Sequence, residues 1–283
     1  MREGLLLLLA AALLAAGGCA GADVMSVATL AAKGVPKAAQ AARPISDSEE
    51  YYLGRAVAAR VLGRYPLSQD PQLTLYVNEV GLAVARKSSR PETFRGYHFA
   101  VLDTPEPNAF ACPGGIIFIT RGLMAMCDNE DQLAAALAHE VAHVANKDGA
   151  NSISKARWTE VVTAMGAEAA RQYGGAPGSL VSLFEGSIDD VFKTIVVNGY
   201  SRGAEEAADR EALRTLSRAG YDPQALPQLL SKMQAKEQAG AGGIYRTHPP
   251  TGDRLAKAKT EAGAAPPPKE EAVRSQRFKS LKI

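Results

Sequence analysis

The sequence predicts an α+β fold that is mostly helical and carries one small sheet. Apolar residues recur at helical spacing in several separate stretches, while residues 97–102 and 115–120 are short runs rich in β-branched and aromatic residues. Pro105, Pro107, Pro113 and Gly114 lie between those runs and break regular structure there, and no internal repeat divides the chain.

At 283 residues the chain can bury one full core once its ends are set aside. The expected organisation is an export signal over 1–19, a flexible tether over 20–44, a single folded domain over 45–260 and a disordered tail over 261–283, where Ala, Pro and Lys dominate. A formal net charge of +2 with scattered basic residues leaves no electrostatic footprint for nucleic acid.

Met1-Arg2-Glu3 precedes an apolar run from Leu5 to Ala16 and then the small residues Gly17 to Ala22. The run is too short to span a bilayer and has the anatomy of a secretory signal. Ala16-Gly17-Gly18-Cys19 resembles a bacterial lipobox with Ala where Leu is usual, which predicts a lipid on Cys19 and attachment to a membrane without a span. Ordinary cleavage after Ala22 is the alternative. Cys112 and Cys127 then remain, either paired in an oxidising compartment or as two separate buried thiols.

Within the domain, Ser46-Asp47-Ser48-Glu49 offers a capping box, with Tyr52, Ala56, Ala59 and Leu62 following at helical spacing. Asp70-Pro71 starts a second helix whose buried candidates are Leu75, Val77, Val80 and Val84. After the two strands, a helix from about Asn129 to Lys147 carries Leu133, Leu137, Val141 and Val144. Gly174 to Gly178 reads as a loop, Gly203 to Leu216 as a helix, Gly220 to Pro223 as a turn, and a further helix reaches about Lys236.

His139-Glu140-Val141-Ala142-His143 matches H-E-x-x-H within a helical stretch, so both imidazoles stand one turn apart on one face. Neutral imidazoles in that geometry suit zinc, and the glutamate between them can act as general base on water at the metal. A catalytic zinc needs a third protein ligand. The adjacent carboxylates Glu205 and Glu206 are available downstream, and Asp209, four residues after Glu205, gives Glu205 a moderate preference. The chain has four histidines. His248 follows the flexible stretch Ala239 to Gly243, which would let it swing over a metal, the alternative being a surface histidine. His98 reads as a strand surface residue.

These residues resemble the HtpX and CAAX-prenyl-protease family of zinc metallopeptidases, and within it the compact periplasmic branch of LoiP and BepA. The likeness covers roughly Ser46 to Leu255. It rests on Asn108-Ala109-Phe110 with Pro113-Gly114-Gly115, the His139 to His143 motif, Ser201-Arg202 with Glu205 and Asp209, and His248-Pro249 with Arg254. The resemblance implies a gluzincin-type fold with the small sheet at the edge of the active-site cleft, one Zn²⁺ per chain, and an edge strand near Asn108 and Ala109 that pairs with extended substrate. It makes His139, His143 and Glu205 the metal ligands, Glu140 the general base and Asp209 a supporting partner. His248 would stabilise the oxyanion or occlude the metal, supported by Arg254.

The implied activity is that of a zinc endopeptidase at the periplasmic face of the outer membrane, acting on unfolded or misassembled envelope proteins. A zinc protein that holds such clients with little turnover shares every motif. Two departures from the family pattern stand near the motif: Ala142 where glycine is frequent, and Asn146-Lys147-Asp148 in place of a basic helix end. Neither is expected to touch a ligand. Ala207 replaces a second glutamate common in the family.

Overall fold

Ser46 opens the folded chain with a complete capping box, its hydroxyl accepting the Glu49 N–H while the Glu49 carboxylate accepts the Ser46 N–H. The structure, a computed structural model, describes residues 45–152, 188–238, 244–249, 252–263 and 271–281. The expected signal, Cys19, the tether, the loop at Gly174 to Gly178 and the glycine-rich stretch 239–243 lie outside them.

Helix α1 spans Asp47–Arg64 and α2 spans Pro71–Ala85. Asp70 caps α2 by accepting the Leu73 N–H at 3.0 Å, and Pro71 fills a first-turn position where no amide is needed. Strands β1 (His98–Leu102), β2 (Ala109–Cys112) and β3 (Ile116–Thr120) form one sheet in the order β1-β3-β2, with β1 parallel and β2 antiparallel to β3. The edge strand expected near Asn108 and Ala109 is β2.

Side chains alternate across this sheet. Phe99, Val101, Ala109, Ala111, Ile117 and Ile119 face a core shared with α2 and the helix of the H-E-x-x-H motif. Leu102, Phe110, Cys112 and Phe118 face a second core with α1 and residues between Ile188 and Val196. Both faces are covered, so the strands read as apolar runs instead of a polar alternation.

Beyond the sheet come α3 (Arg121–Met124), α4 (Glu130–Ala145), α5 (Asp148–Asn151), a π-helical turn (Thr194–Asn198), α6 (Arg202–Ala219), α7 (Ala225–Gln238), α8 (Ile244–Thr247), α9 (Gly252–Ala262) and α10 (Glu271–Lys279). Helix α4, which carries the motif, is the centre. Every residue from Glu130 to Val144 is buried, and α2, α6, α7 and the sheet pack around it.

The structure corrects several expectations. On α1 the apolar residues at Tyr52 and Leu62 are 52% and 42% exposed, and the buried face is Leu53, Gly54, Val57, Ala58 and Val61. Gly54 decides this rotation: an added Cβ there would lie 1.7 Å from the Pro113 carbonyl oxygen, so the backbones meet where only glycine fits. On α2, Leu75 is exposed while Leu73 and Tyr76 are buried with Val77, Val80 and Val84. Of the two alternatives expected for Cys112 and Cys127, the structure shows the two separate buried thiols.

The disordered tail expected from Glu261 is contradicted over α9, which runs to Ala262, and over α10. Composition understates α10 because its docking is ionic. Glu130, fully buried at the start of α4, accepts from Arg277 Nε at 2.8 Å and from Tyr76 Oη at 2.7 Å, while Arg274 reaches Asp131 at 3.2 Å and Phe278 is buried.

Among the described residues Arg277→Ala leaves the Glu130 carboxylate only the tyrosine donors Tyr76 and Tyr221, and the expected cost is about 1–3 kcal/mol. Thermal unfolding should report a Tm lower by several degrees; an unchanged Tm would mean that α10 adds no stability.

Candidate metal centre

Three helices and one short turn deliver the polar residues of this centre. On α4, His139 and His143 stand one turn apart with ring centroids 4.7 Å from each other. On α6, Ser201 caps the helix by accepting the Ala204 N–H, which sets Glu205 in the first turn and Asp209 one turn on. Thr247 ends α8 and His248 follows it, with the His248 N–H bonded to the Ile244 carbonyl at 2.7 Å. Arg254 lies in the first turn of α9.

One donor atom from each of His139, His143, Glu205 and His248 lies within 4.8 Å of all the others, and all four residues are buried. The two motif Nε2 atoms are 3.1 Å apart; Glu205 oxygens lie 3.4 Å from each; His248 Nδ1 is 3.3 Å from His139 Nε2 and 2.9 Å from Glu205 Oε1. Ligands about 2.0–2.1 Å from a tetrahedral zinc are separated by about 3.3 Å. The donor set therefore fits zinc in identity, number and spacing.

The opposite ring nitrogens are held by carboxylates. His139 Nδ1 lies 3.0 Å from Asp209 Oδ1, and His143 Nδ1 lies 2.7 Å from Asp148 Oδ2. That arrangement turns both Nε2 lone pairs toward one point. Burial disfavours charge on His139, but Asp209 and Glu205 outweigh it and hold its pKa up to about 10. The cluster thus favours positive charge, which a divalent cation on neutral imidazoles supplies.

Arg254, only 2% exposed, balances the carboxylates. Its Nε and one terminal nitrogen donate to Asp209 at 2.7 and 2.8 Å; the other terminal nitrogen lies 2.7 Å from Glu205 Oε2 and donates to the Pro249 carbonyl at 2.9 Å. Burial raises the Asp209 carboxyl, yet Arg254 and His139 bring its pKa down to about 2. Glu205 is held well below the usual carboxylate range, with burial opposed by His248, His139 and His143.

Glu140 faces inward with Oε2 buried and, among the described residues, without a hydrogen-bond partner, and its Oε1 lies 3.7 Å from His248 Nε2. It borders an apolar cavity walled by Leu123, Leu226, Leu230, Met233 and Ile244. Asn108 is buried at the start of β2, its side-chain oxygen accepting the Ala109 N–H at 2.9 Å and lying 3.4 Å from the Thr247 hydroxyl. The edge strand and the turn bearing His248 are joined there. Glu206 points away, paired with Lys257 at 2.7 Å. His98 is exposed in β1, as expected.

Two neighbours of the cluster escaped the sequence reading. Asp148, expected to touch no ligand, contacts His143 because the chain reverses after α4 and brings it back. Tyr200 stacks on the His143 ring, with centroids 4.2 Å apart and planes 28° apart. Its position beside Ser201-Arg202 was the available signal.

Residues 71–262 match the model of Peptidase family M48. The beta-barrel assembly-enhancing protease of Escherichia coli (strain K12) is 32% identical over 234 residues, which cover 79% of this chain and 46% of that protein. Protease HtpX homolog of Salinibacter ruber is 32% identical, over 58% of this chain and 68% of that protein. Mitochondrial metalloendopeptidase OMA1 of Schizosaccharomyces pombe is 32% identical, over 65% and 51%. The chain spans about half the length of the first and the last of these.

Glu205→Gln is expected to lower bound zinc sharply, because the cluster loses its anionic donor, while Glu206→Gln retains a full equivalent. Metal content after dialysis against a weak chelator distinguishes them; full zinc in the Glu205 variant would refute this donor set.

Proposed function

The chain belongs to peptidase family M48, and on that premise we propose that it is a zinc-dependent endopeptidase that hydrolyses unfolded or misassembled proteins of the bacterial cell envelope. The observation that carries the reading is Glu140, a buried carboxylate beside the four-donor cluster, one of whose oxygens has no hydrogen-bond partner among the described residues.

His139, His143 and Glu205 would hold the ion, with Asp209 and Arg254 supporting them. The chemistry a bound zinc would supply is polarisation of the scissile carbonyl and a lowering of the pKa of water toward about 7. Glu140 takes the proton of the attacking water at its carboxylate and passes it to the leaving nitrogen. The apolar cavity beside it excludes bulk water from that side of the carboxylate. Extended substrate adds antiparallel to the edge strand at Asn108 and Ala109, where backbone hydrogen bonds supply affinity independent of side-chain identity. That independence suits unfolded clients.

His248 occupies the fourth donor position in this conformation, and in this reading it gates the site, giving way when substrate arrives. The same closure favours a second reading, a client-holding zinc protein with little turnover. Turnover separates the two. Purified protein should degrade unfolded casein and stop with chelator; Glu140→Gln should keep its zinc and lose about 10²–10⁴-fold in rate. His248→Ala, with the fourth position open, should be faster. Full zinc without casein cleavage in either the parent or the His248 variant would favour the holding protein.

Attachment at the periplasmic face of the outer membrane through Cys19 is part of the proposal, supported by the apolar run that ends at Gly17-Gly18-Cys19. Among the described residues no helix is long and apolar enough to cross a membrane. Mass spectrometry of the mature N-terminus should find a lipid-modified Cys19; an unmodified start at Asp23 would sink the anchor.

A further inference from the structure

The helix that carries the H-E-x-x-H motif does not simply end. After α4 the chain keeps right-handed backbone angles at Asn146, and then Lys147 adopts φ 58° and ψ 30°. Among the described residues it is the one residue other than glycine with positive φ. A side chain makes this conformation unfavourable, so something must hold it. The consequence of the turn is specific: Asp148, the next residue, is returned to within 2.7 Å of His143 Nδ1.

What holds Lys147 is the first turn of α1. Its Nζ lies 2.8 Å from Asp47 Oδ1 and 3.5 Å from Glu50 Oε2. Glu50 is fully buried and joins three parts of the fold. It accepts from Arg90 at 2.9 and 3.1 Å and from the Gly114 N–H, just past the edge strand, at 3.2 Å. Arg90 in turn donates to the Val144 carbonyl, in the last turn of α4, at 3.2 Å. The α1 hub thus grips the end of the motif helix twice, through Arg90 before the left-handed turn and through Lys147 within it.

We propose that Lys147 is a positioning residue for the metal: the Asp47 and Glu50 clamp keeps it left-handed, and the turn aims Asp148 at His143 and thereby sets zinc affinity. The inference rests on the reading of His143 as a zinc ligand. A carboxylate on the far nitrogen of a ligating imidazole fixes its tautomer and direction, and losing one weakens metal binding by about 10–100-fold. An ordinary exposed ion pair predicts almost nothing. Lys147 is 36% exposed at its side chain, so replacing it does not hollow the core.

The test measures zinc Kd by competition with a chromophoric chelator, together with the visible bands of the cobalt-substituted protein, which report ligand geometry independently of activity. Asp148→Asn sets the scale, with an expected loss of about 10–100-fold. Lys147→Val removes the clamp and resists the left-handed turn, and should approach that loss with shifted cobalt bands. Lys147→Gly, which accepts the turn but lacks the clamp, should fall between, and Lys147→Arg should restore parental affinity. In an Asp148→Asn background Lys147→Gly should cost nothing further, because the two residues act in series.

Parental affinity and cobalt bands in both Lys147→Val and Lys147→Gly would overturn the proposal, as would losses that simply add to that of Asp148→Asn. Should Lys147→Val fail to fold, the glycine variant and the double variant decide the matter. A parent chain that binds no zinc would instead remove the metallopeptidase reading, a result separate from any difference among Lys147 variants.

Discussion

Two carboxylates buried against the motif helix set the constraint on which the rest of the structure depends. Glu205 and Asp209 are 1% and 4% exposed, and carboxylates so placed stay ionised only beside fixed positive charge. Arg254 supplies part of it, reaching both. For that guanidinium to arrive, α9 must return over α6, and the Pro249 carbonyl is pinned by the same side chain. The position of His248 thus follows from the charge balance of Glu205 and Asp209. The remaining positive charge belongs to the imidazoles or to a metal among them.

The sheet serves the same centre from the other side. Its faces are buried in two different cores, and β2 is one of its two edges, the one that receives extended substrate in the proposed reading. The strand is held firmly behind: Gly54 lets α1 touch the Pro113 backbone, and Gly114, at φ 76°, sits where a Cβ would meet the Tyr51 backbone at 2.6 Å. Glu50 then ties that loop to α1 and, through Arg90, to the end of α4. Edge strand and motif helix are therefore referenced to one buried carboxylate.

Polar and apolar surfaces meet at Glu140. On one side stand the four donors, and on the other the cavity walled by α7 and Ile244. A carboxylate between them borders both the donors and an apolar wall, the place where a water at the metal and a substrate would meet in the proposed reaction.

How much of this was legible in the sequence differs by residue, for physical reasons. H-E-x-x-H within a helical stretch, the Ser46 capping box, the Asp70-Pro71 start and the strands at 98–102 and 116–120 are local, since spacing and propensity along the chain determine them. So His139, Glu140 and His143 were readable from one turn of helix, and the remaining donors from their order in the family pattern. What only tertiary structure decided is contact between distant segments. Which of Glu205 and Glu206 lies in the four-donor cluster depends on which side of α6 meets α4, with Glu206 drawn outward to Lys257. The buried face of α1 follows from a glycine meeting Pro113, and the order of α10 from an arginine reaching Glu130. Asp148 is the sharpest case: five residues after His143 it shares no helical face with it, and it reaches the ring only because a clamp from α1 holds Lys147 in a conformation that its own side chain disfavours.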